Sequence, residues 1–259
     1  GTDALMICLK ALDIKKGDEV ITTPYTFFAS AETASMLGAT PVFVDIDKDT
    51  LCIDTKLLED KISDKTKAII PVHIFGQLCN MDELMAVAEK HNIPVIEDAC
   101  QAIGAEYKGK RAGSFGLAGT YSFFPSKNLA CYGDGGMIVT NDDHFAETAR
   151  MLRAHGNKKK YVHEKIGFNS RLDDMQAAVL NVKFRYWDEW NGKRREHAAY
   201  YSKQLAQLPI ELPYEHPDCT HIYHQYCIQV DEEKRDSLIK HLNENGVSTA
   251  LYYPIPVHL

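Results

Sequence analysis

A chain of 259 residues, 45% hydrophobic and 25% charged, has the composition of an ordinary globular protein, which excludes disordered, collagen-like and low-complexity classes. Its net charge of −7 argues against a nucleic-acid partner, because proteins that bind nucleic acid usually present a basic surface. Seven cysteines without a CxxC pair favour free thiols in a reducing compartment over disulfides or a zinc site, so we expect no metal.

No stretch of the chain approaches the roughly 20 apolar residues that a membrane span needs, and no secretory signal is visible. We therefore expect a cytoplasmic protein without membrane contact. Because the chain begins at Gly1 without a methionine and stops abruptly after Leu259, we also expect it to be a fragment, so the missing targeting segment says little.

Short strands and helices alternate from residue 1 to about residue 180. Runs rich in isoleucine and valine predict six strands, at residues 19–23, 41–45, 67–73, 94–98, 119–124 and 137–140. Apolar residues at helical spacing predict helices at 5–12, 54–62, 81–88 and 144–152, and Asn80 with Glu83 resembles a capping box. This alternation predicts a mostly parallel sheet covered by helices on both faces.

A charged and aromatic run begins at residue 183. The pattern predicts, in chain order, a long linking helix at 183–208, a proline-rich loop to 217, a strand at 224–230, a helix at 234–245 and the start of a strand near Val247. The basic residues of the linking helix are more typical of an amphipathic linker than of DNA binding. We therefore expect a large domain over 1–182 and, over 183–259, the linking helix and an incomplete small α/β domain.

Two ionisable side chains follow buried strands of the predicted sheet, where ligands of parallel sheets bind. Asp98 ends one strand. Considered alone, it is explained equally well as a cofactor-facing carboxylate or as a helix N-cap. A ribose-binding acid explains it less well, because no GxGxxG motif is present. Lys127 lies in a turn fixed by Pro125; by itself it is more often a solvent-facing loop lysine. Together they favour a Schiff-base site, because desolvation lowers the pKa of an amine and makes it nucleophilic.

Two further segments carry weaker signals. The turn Gly133-Asp-Gly-Gly136 permits close backbone approach but matches no phosphate or dinucleotide fingerprint. Small and polar residues in Gly1-Thr-Asp-Ala-Leu5 open a helix, and free N–H groups at a helix start suit a phosphate. Ordinary N-capping by Thr2 or Asp3 explains that segment better when it is considered alone.

Taken in this order, the segments resemble the DegT/DnrJ/StrS family of pyridoxal phosphate-dependent nucleotide-sugar aminotransferases over essentially the whole chain. The matching segments are Gly1-Thr-Asp-Ala-Leu5, Pro24-Tyr-Thr-Phe-Phe28, Gly38-Ala-Thr-Pro-Val42, Pro71-Val-His73, Glu97-Asp-Ala99 with Gln101, Ser122-Phe-Phe-Pro-Ser-Lys-Asn128, Gly167-Phe-Asn-Ser-Arg171 and Tyr253-Pro-Ile-Pro-Val-His258. The resemblance implies a fold type I aminotransferase, with a three-layer αβα large domain and a truncated smaller α/β domain. It also implies a homodimer whose active site is shared between subunits.

The resemblance also assigns roles to single residues. Lys127 resembles the Schiff-base lysine, and Asp98 resembles the partner of the pyridine nitrogen, which a carboxylate keeps protonated so that the ring can accept electrons. The other implied cofactor contacts are Gln101 to the phenolic oxygen, Phe27 stacked on the ring, Thr2, Asp3 and Ser122 around the phosphate, and Asn169 reaching the phosphate from the other subunit. The resemblance places Arg171 near the shared cleft. Two interpretations stay open: it clamps a substrate phosphate or carboxylate, or it is a surface or helix-capping arginine. Tyr252, Tyr253 and His258 lie where the family closes its sugar site.

The implied reaction is transfer of an amino group from an amino acid, glutamate in the family, to a nucleotide-linked ketosugar in polysaccharide or amino-sugar biosynthesis. A lysine rather than a histidine at position 127 favours transamination over dehydration, and the Gly133–Gly136 turn favours a 3-keto over a 4-keto sugar. Two alternatives stay open: a pyridoxal phosphate-dependent dehydratase or racemase, and a noncatalytic regulatory protein on the same fold.

Overall fold

The computed structural model describes residues 1–259, which form seven α-helices and eleven strands. The helices are α1 (Thr2–Ala11), α2 (Ala29–Met36), α3 (Met81–Lys90), α4 (Asp143–Leu152), α5 (Asp174–Phe184), α6 (Trp187–Leu205) and α7 (Glu232–Glu244). The strands are β1 (Glu19–Thr22), β2 (Thr40–Phe43), β3 (Thr66–Ile69), β4 (Ile96–Asp98), β5 (Glu106–Tyr107), β6 (Lys110–Arg111), β7 (Ala118–Ser122), β8 (Gly136–Val139), β9 (Asn157–Lys159), β10 (Val162–His163) and β11 (Cys219–Thr220). None of the helices is both long and apolar enough to cross a bilayer.

The six predicted strands of the large domain build the central sheet. β1 pairs in parallel with β2 and β3, and β4 pairs in parallel with β7. Isolated parallel bridges between Ile69 and Val95 and between Val72 and Asp98 connect the two halves. The strand order is therefore β2-β1-β3-β4-β7-β8, with only β8 antiparallel. The prediction of a mostly parallel α/β sheet is confirmed.

Apolar cores lie on both faces of this sheet. Successive strand residues point to opposite faces, so Val20 joins a cluster with Leu5 of α1 while Ile21 joins the cluster that holds Leu84 of α3. Fully burying one such aliphatic side chain stabilises the fold by about 1.5–3 kcal/mol. The helices therefore form outer layers on both sides, which confirms the three-layer arrangement.

The helix predicted at 54–62 is wrong. Two 3₁₀ helices, Thr55–Leu57 and Glu59–Lys61, occupy the segment. Leu58 is its only fully buried side chain, so there is no apolar stripe long enough to hold an α-helix against the core. The predicted capping box is half correct, because the Asn80 side chain accepts a hydrogen bond from the Glu83 N–H. The Glu83 carboxylate does not return to Asn80, since it accepts instead from the Thr55 hydroxyl.

The long helix predicted at 183–208 is also wrong. Two helices, α5 and α6, separate at Arg185 and Tyr186, where the backbone N–H groups bond three residues back and close a 3₁₀ turn. Across this break Phe184 stacks on Trp187, with ring centroids 5.5 Å apart. The predicted division between residues 182 and 183 falls within α5 and stays a prediction.

No strand forms at 224–230 or near Val247, contrary to the prediction. The backbone N–H groups of Ile222 and Gln225 donate to the carbonyls of Gly76 and Phe75 instead of to a neighbouring strand. Only an isolated bridge joins residues 211 and 229. The short strand β11 pairs with β5, and the predicted final helix is present as α7.

Candidate active site

Asp98 lies at the carboxyl end of β4 with its side chain almost completely buried, 6% exposed. Its Oδ2 accepts a hydrogen bond from the Ser30 hydroxyl at 2.7 Å, and its Oδ1 accepts from the Cys100 N–H at 3.2 Å. No helix begins after Asp98, so the helix N-cap alternative is wrong. The carboxylate is instead a fixed acceptor at the edge of the sheet where ligands bind.

Lys127 lies in the turn after β7, the strand that pairs with β4, and its backbone N–H bonds to the Phe124 carbonyl at 2.9 Å. The side chain is half-buried and makes no hydrogen bond or ion pair within the chain. Burial lowers the pKa of the Lys127 amine below its ordinary 10.5, and the negative charge of the nearby Asp98 offsets part of that effect. The loop-lysine alternative therefore does not fit, because the amine is desolvated and lies within electrostatic reach of Asp98.

The N-terminus of α1 packs against the end of β7. A side chain on Gly1 would collide there, since a Cβ atom would lie 2.7 Å from the Cys100 sulfur and 3.2 Å from the Ser122 Cβ. Gly1 is the N-cap residue and no side chain caps the helix, so capping by Thr2 or Asp3 is wrong. Asp3 accepts instead from the Ser170 hydroxyl at 2.6 Å. The first N–H groups of α1 stay available to an anion, next to the buried Ser122.

Gln101 and Tyr253 close another side of the site. The Gln101 Oε1 accepts from the Phe75 N–H at 2.9 Å, and its Nε2 donates to the Tyr253 hydroxyl at 3.1 Å. Burial is the main cause that raises the pKa of Tyr253 to about 12, so its hydroxyl stays protonated at physiological pH. Tyr252 lies beside it, where its carbonyl accepts from the Tyr25 hydroxyl.

The remaining predicted site residues make no hydrogen bond or ion pair to Asp98 or Lys127. Phe27 is 59% exposed. Asn169 is exposed and accepts at 2.6 Å from the guanidinium of Arg171, near the start of α1. His258 packs against Phe43 of β2, with ring centroids 5.8 Å apart.

The donor set fits pyridoxal phosphate group by group. An uncapped helix N-terminus suits a dianionic phosphate, a desolvated amine suits an aldehyde, and a buried carboxylate suits a protonated pyridine nitrogen.

A family model decides the classification. The model of the DegT/DnrJ/EryC1/StrS aminotransferase family matches residues 1–259. The chain belongs to this family. Its cofactor is therefore pyridoxal phosphate, and its fold is the type I aminotransferase fold.

Several relatives of this aminotransferase cover its whole length. It is 52% identical to a "Pleiotropic regulatory protein" of Geobacillus stearothermophilus, covering 100% of this chain and 70% of the relative. It is 46% identical to the UDP-N-acetyl-3-dehydro-alpha-D-glucosamine 3-aminotransferase of Acidithiobacillus ferrooxidans, covering 100% and 69%. The crystal structure of Streptomyces venezuelae DesV in complex with a ketimine intermediate matches with a TM-score of 0.96 at 45% identity, covering 100% of this chain and 69% of DesV.

Two buried polar groups of this aminotransferase were missed from the sequence. Ser30 holds Asp98 from α2, and His224 lies behind Lys127, bonded to Asn128 at 3.0 Å. Both partners are far away in the chain, so no local pattern relates them. The one available signal was that a serine or histidine in an apolar surrounding needs a polar partner.

Proposed function

We propose that this aminotransferase moves an amino group from an amino acid, glutamate, to a nucleotide-linked 3-ketosugar in polysaccharide or amino-sugar biosynthesis. One observation carries the proposal: a desolvated amine, Lys127, and a buried carboxylate, Asp98, lie on adjacent strand ends within electrostatic reach of each other. The name of the Acidithiobacillus relative supports carbon 3 as the position that is aminated.

In this proposal the cofactor is held by groups of the large domain. The first N–H groups of α1, at Thr2 and Asp3, bind the phosphate together with Ser122. Asp98 would pair with the pyridine nitrogen, Gln101 would donate to the phenolic oxygen, and Phe27 would stack on the ring. When bound, pyridoxal phosphate supplies a conjugated ring that accepts the electrons released at the substrate's Cα.

Lys127 has two duties in this proposal. Its amine would hold the cofactor covalently, and once freed it would act as the general base that takes the proton from the substrate Cα and as the general acid that gives it back. The lowered pKa suits both duties, because it increases the fraction of free amine near neutral pH.

The proposed assembly is a cytoplasmic homodimer with a shared active site. Large aromatic side chains beside the site are exposed in the single chain, and exposed apolar groups of this size are typical of an interface: Phe27, Phe28, Phe124 and Tyr132. Asn169 then reaches the phosphate of the partner's site. Arg171, Tyr252, Tyr253 and His258 form the substrate side, which orients the nucleotide sugar.

A second candidate function is regulation without catalysis, which the name of the Geobacillus relative favours. A protein that had lost catalysis would have no use for a desolvated amine opposite a buried carboxylate. Both groups are present here, which supports the enzyme.

The substitution Lys127→Ala tests the proposal. We expect it to abolish the visible absorbance of the bound cofactor and all glutamate-dependent conversion of the cofactor to its amine form. Lys203→Ala is the matched control, since Lys203 is an exposed lysine of α6, and it should leave both signals unchanged. Visible absorbance that survives in Lys127→Ala contradicts the assignment.

The substrate is tested separately with the wild-type protein. We expect glutamate and a panel of nucleotide 3-ketosugars and 4-ketosugars to give an amino sugar, identified by mass, only from the 3-keto compounds. A regulatory protein would aminate no member of the panel, and a dehydratase would release a product that has lost water.

A further inference from the structure

Three buried polar side chains form a relay behind the turn that carries Lys127. They are Asn128, Asn191 of α6 and His224, each less than 10% exposed. The Asn128 Nδ2 donates to the Asn191 Oδ1 at 2.9 Å, and the His224 Nδ1 lies 3.0 Å from the Asn128 Oδ1. We call these three residues the amide relay. It connects Asn128, the residue that follows Lys127, to α6 and to the segment around residue 224.

Two backbone carbonyls fix the orientation of both amides. The Asn191 Nδ2 donates to the Ile103 carbonyl at 3.3 Å, so its oxygen must face Asn128. The Asn128 Nδ2 bonds to this oxygen and lies 3.5 Å from the Ile222 carbonyl, so the Asn128 oxygen must face His224. An oxygen accepts only, and the His224 Nδ1 is therefore the protonated nitrogen. The Nε2 of the neutral ring keeps a free lone pair.

Charges around the ring keep it neutral. Burial, followed by the positive charges of Lys127 and Arg194, lowers the pKa of His224 to about 3. Arg194 is engaged elsewhere, because its guanidinium donates to the carbonyls of Tyr223 and His224. His224 is therefore an uncharged acceptor near an amine that must alternate between its free and protonated forms.

We propose that His224 is a positioning residue for Lys127: through its hydrogen bond to Asn128 it fixes the turn that carries the lysine and keeps the side chain half-buried. This inference rests on the proposed role of Lys127. A cation at this position would oppose the protonated amine, and an apolar side chain would leave the buried Asn128 oxygen unpaired and loosen the turn.

The test measures Lys127 itself in the cofactor-free protein. Acetylation by acetic anhydride is followed across pH, and the labelled peptide is quantified by mass spectrometry, which gives the pH midpoint of the Lys127 amine. In His224→Leu we expect this midpoint to rise by about one pH unit towards the ordinary 10.5, because a turn that is no longer fixed exposes the amine to water and relieves its desolvation. His224→Gln supplies a donor for the Asn128 oxygen, so it should restore the wild-type midpoint.

His221→Leu is the matched control. His221 is also buried, with its pKa lowered to about 4, but its Nδ1 accepts from the Tyr223 N–H and it does not contact the amide relay. It should leave the Lys127 midpoint unchanged even where the melting temperature falls. Asn191→Ala provides a second break in the relay if His224→Leu does not fold, and we expect a shift in the same direction.

An unchanged Lys127 midpoint in both relay variants, or an equal shift in His221→Leu, overturns the proposal. Its failure is separable from that of the proposed function. The acetylation midpoint is measured without cofactor, whereas the proposed function fails when Lys127→Ala keeps the visible absorbance.

Discussion

Two hydrogen bonds orient the Asp98 carboxylate, and the one from Ser30 can be removed by deleting a single oxygen. Ser30→Ala leaves Oδ2 without its buried donor, and a hydrogen bond to a charged group contributes about 1.5–3 kcal/mol. We expect the affinity for pyridoxal phosphate, measured by absorbance titration, to fall about 10- to 100-fold. Thr33→Ala is the control, because the buried Thr33 hydroxyl of the same helix has no hydrogen-bond partner. Equal losses in the two variants would contradict the proposed role of Asp98.

The neighbouring carboxylate, Glu97, has a structural duty that depends on pH. It is fully buried, bonds to the His73 Nε2 at 2.9 Å and accepts from the N–H groups of Gly113, Phe115 and Gly116. Burial raises the pKa of Glu97, but the hydrogen bonds and the His73 charge outweigh it and hold that pKa below the ordinary 4.5. The stabilisation is therefore complete above pH 4.5 and is lost as pH falls through the lower, folded-state pKa.

Glu97→Gln removes this dependence. An amide in place of the carboxylate turns an N–H₂ group towards backbone donors, so we expect the free energy of unfolding at pH 7 to fall by about 3–5 kcal/mol. Between about pH 5 and pH 3, a range that brackets the ordinary carboxyl pKa of 4.5, the wild type loses stability as Glu97 becomes protonated. The variant has no carboxylate at this position, so it should lose less stability over the same range. Denaturant titrations across pH measure both effects. Glu59→Gln, at an exposed ion pair, is the control and should change the dependence of stability on pH little. Parallel stability curves for the wild type and Glu97→Gln would refute the link between Glu97 protonation and stability.

At the scale of single elements, the sequence predicts what local pattern determines. The six strands were predicted, most of them because buried strands carry runs of isoleucine and valine, and Asp98 and Lys127 were singled out because the ends of parallel strands meet at one edge. The break at Tyr186 was missed because α5 and α6 have one continuous helical pattern, and aromatic stacking across the break decides the geometry. Ser30 and His224 were missed because their partners lie 68 and 96 residues away, which no periodicity encodes.

The turn Ile74–Gly76 connects the C-terminal segment to the site, and Gly76 is the residue that permits it. Its φ is +109°, and a Cβ atom would lie 2.9 Å from the Ile222 Cδ1 and 3.0 Å from the backbone nitrogen of His224. We expect Gly76→Ala to lower the free energy of unfolding by about 1–3 kcal/mol and to weaken cofactor binding, since the adjacent Phe75 N–H bonds to Gln101.

The control for this prediction is Gly192→Ala in α6. A Cβ atom at Gly192 meets no atom within 4 Å, so the substitution should stabilise the protein by about 0.5–1 kcal/mol. Chemical denaturation of both variants, with cofactor titration of each, checks the pair. A Gly76→Ala protein as stable as the wild type would mean that the turn tolerates a side chain and is not a constraint on Gln101.

At the scale of the whole molecule, the proposed shared site makes two inactive variants complement each other. Lys127→Ala removes the anchor from one chain, and Asn169→Ala removes the phosphate contact that the same chain is proposed to lend to its partner. A mixed dimer then has one site with both defects and one site with neither. Random pairing places the intact site in half of the dimers, so about a quarter of the wild-type glutamate half-reaction should return. Each parent alone should show little activity, and its mass by light scattering should be that of two chains. A mixture no more active than its parents would place Asn169 in the same site as Lys127 of its own chain.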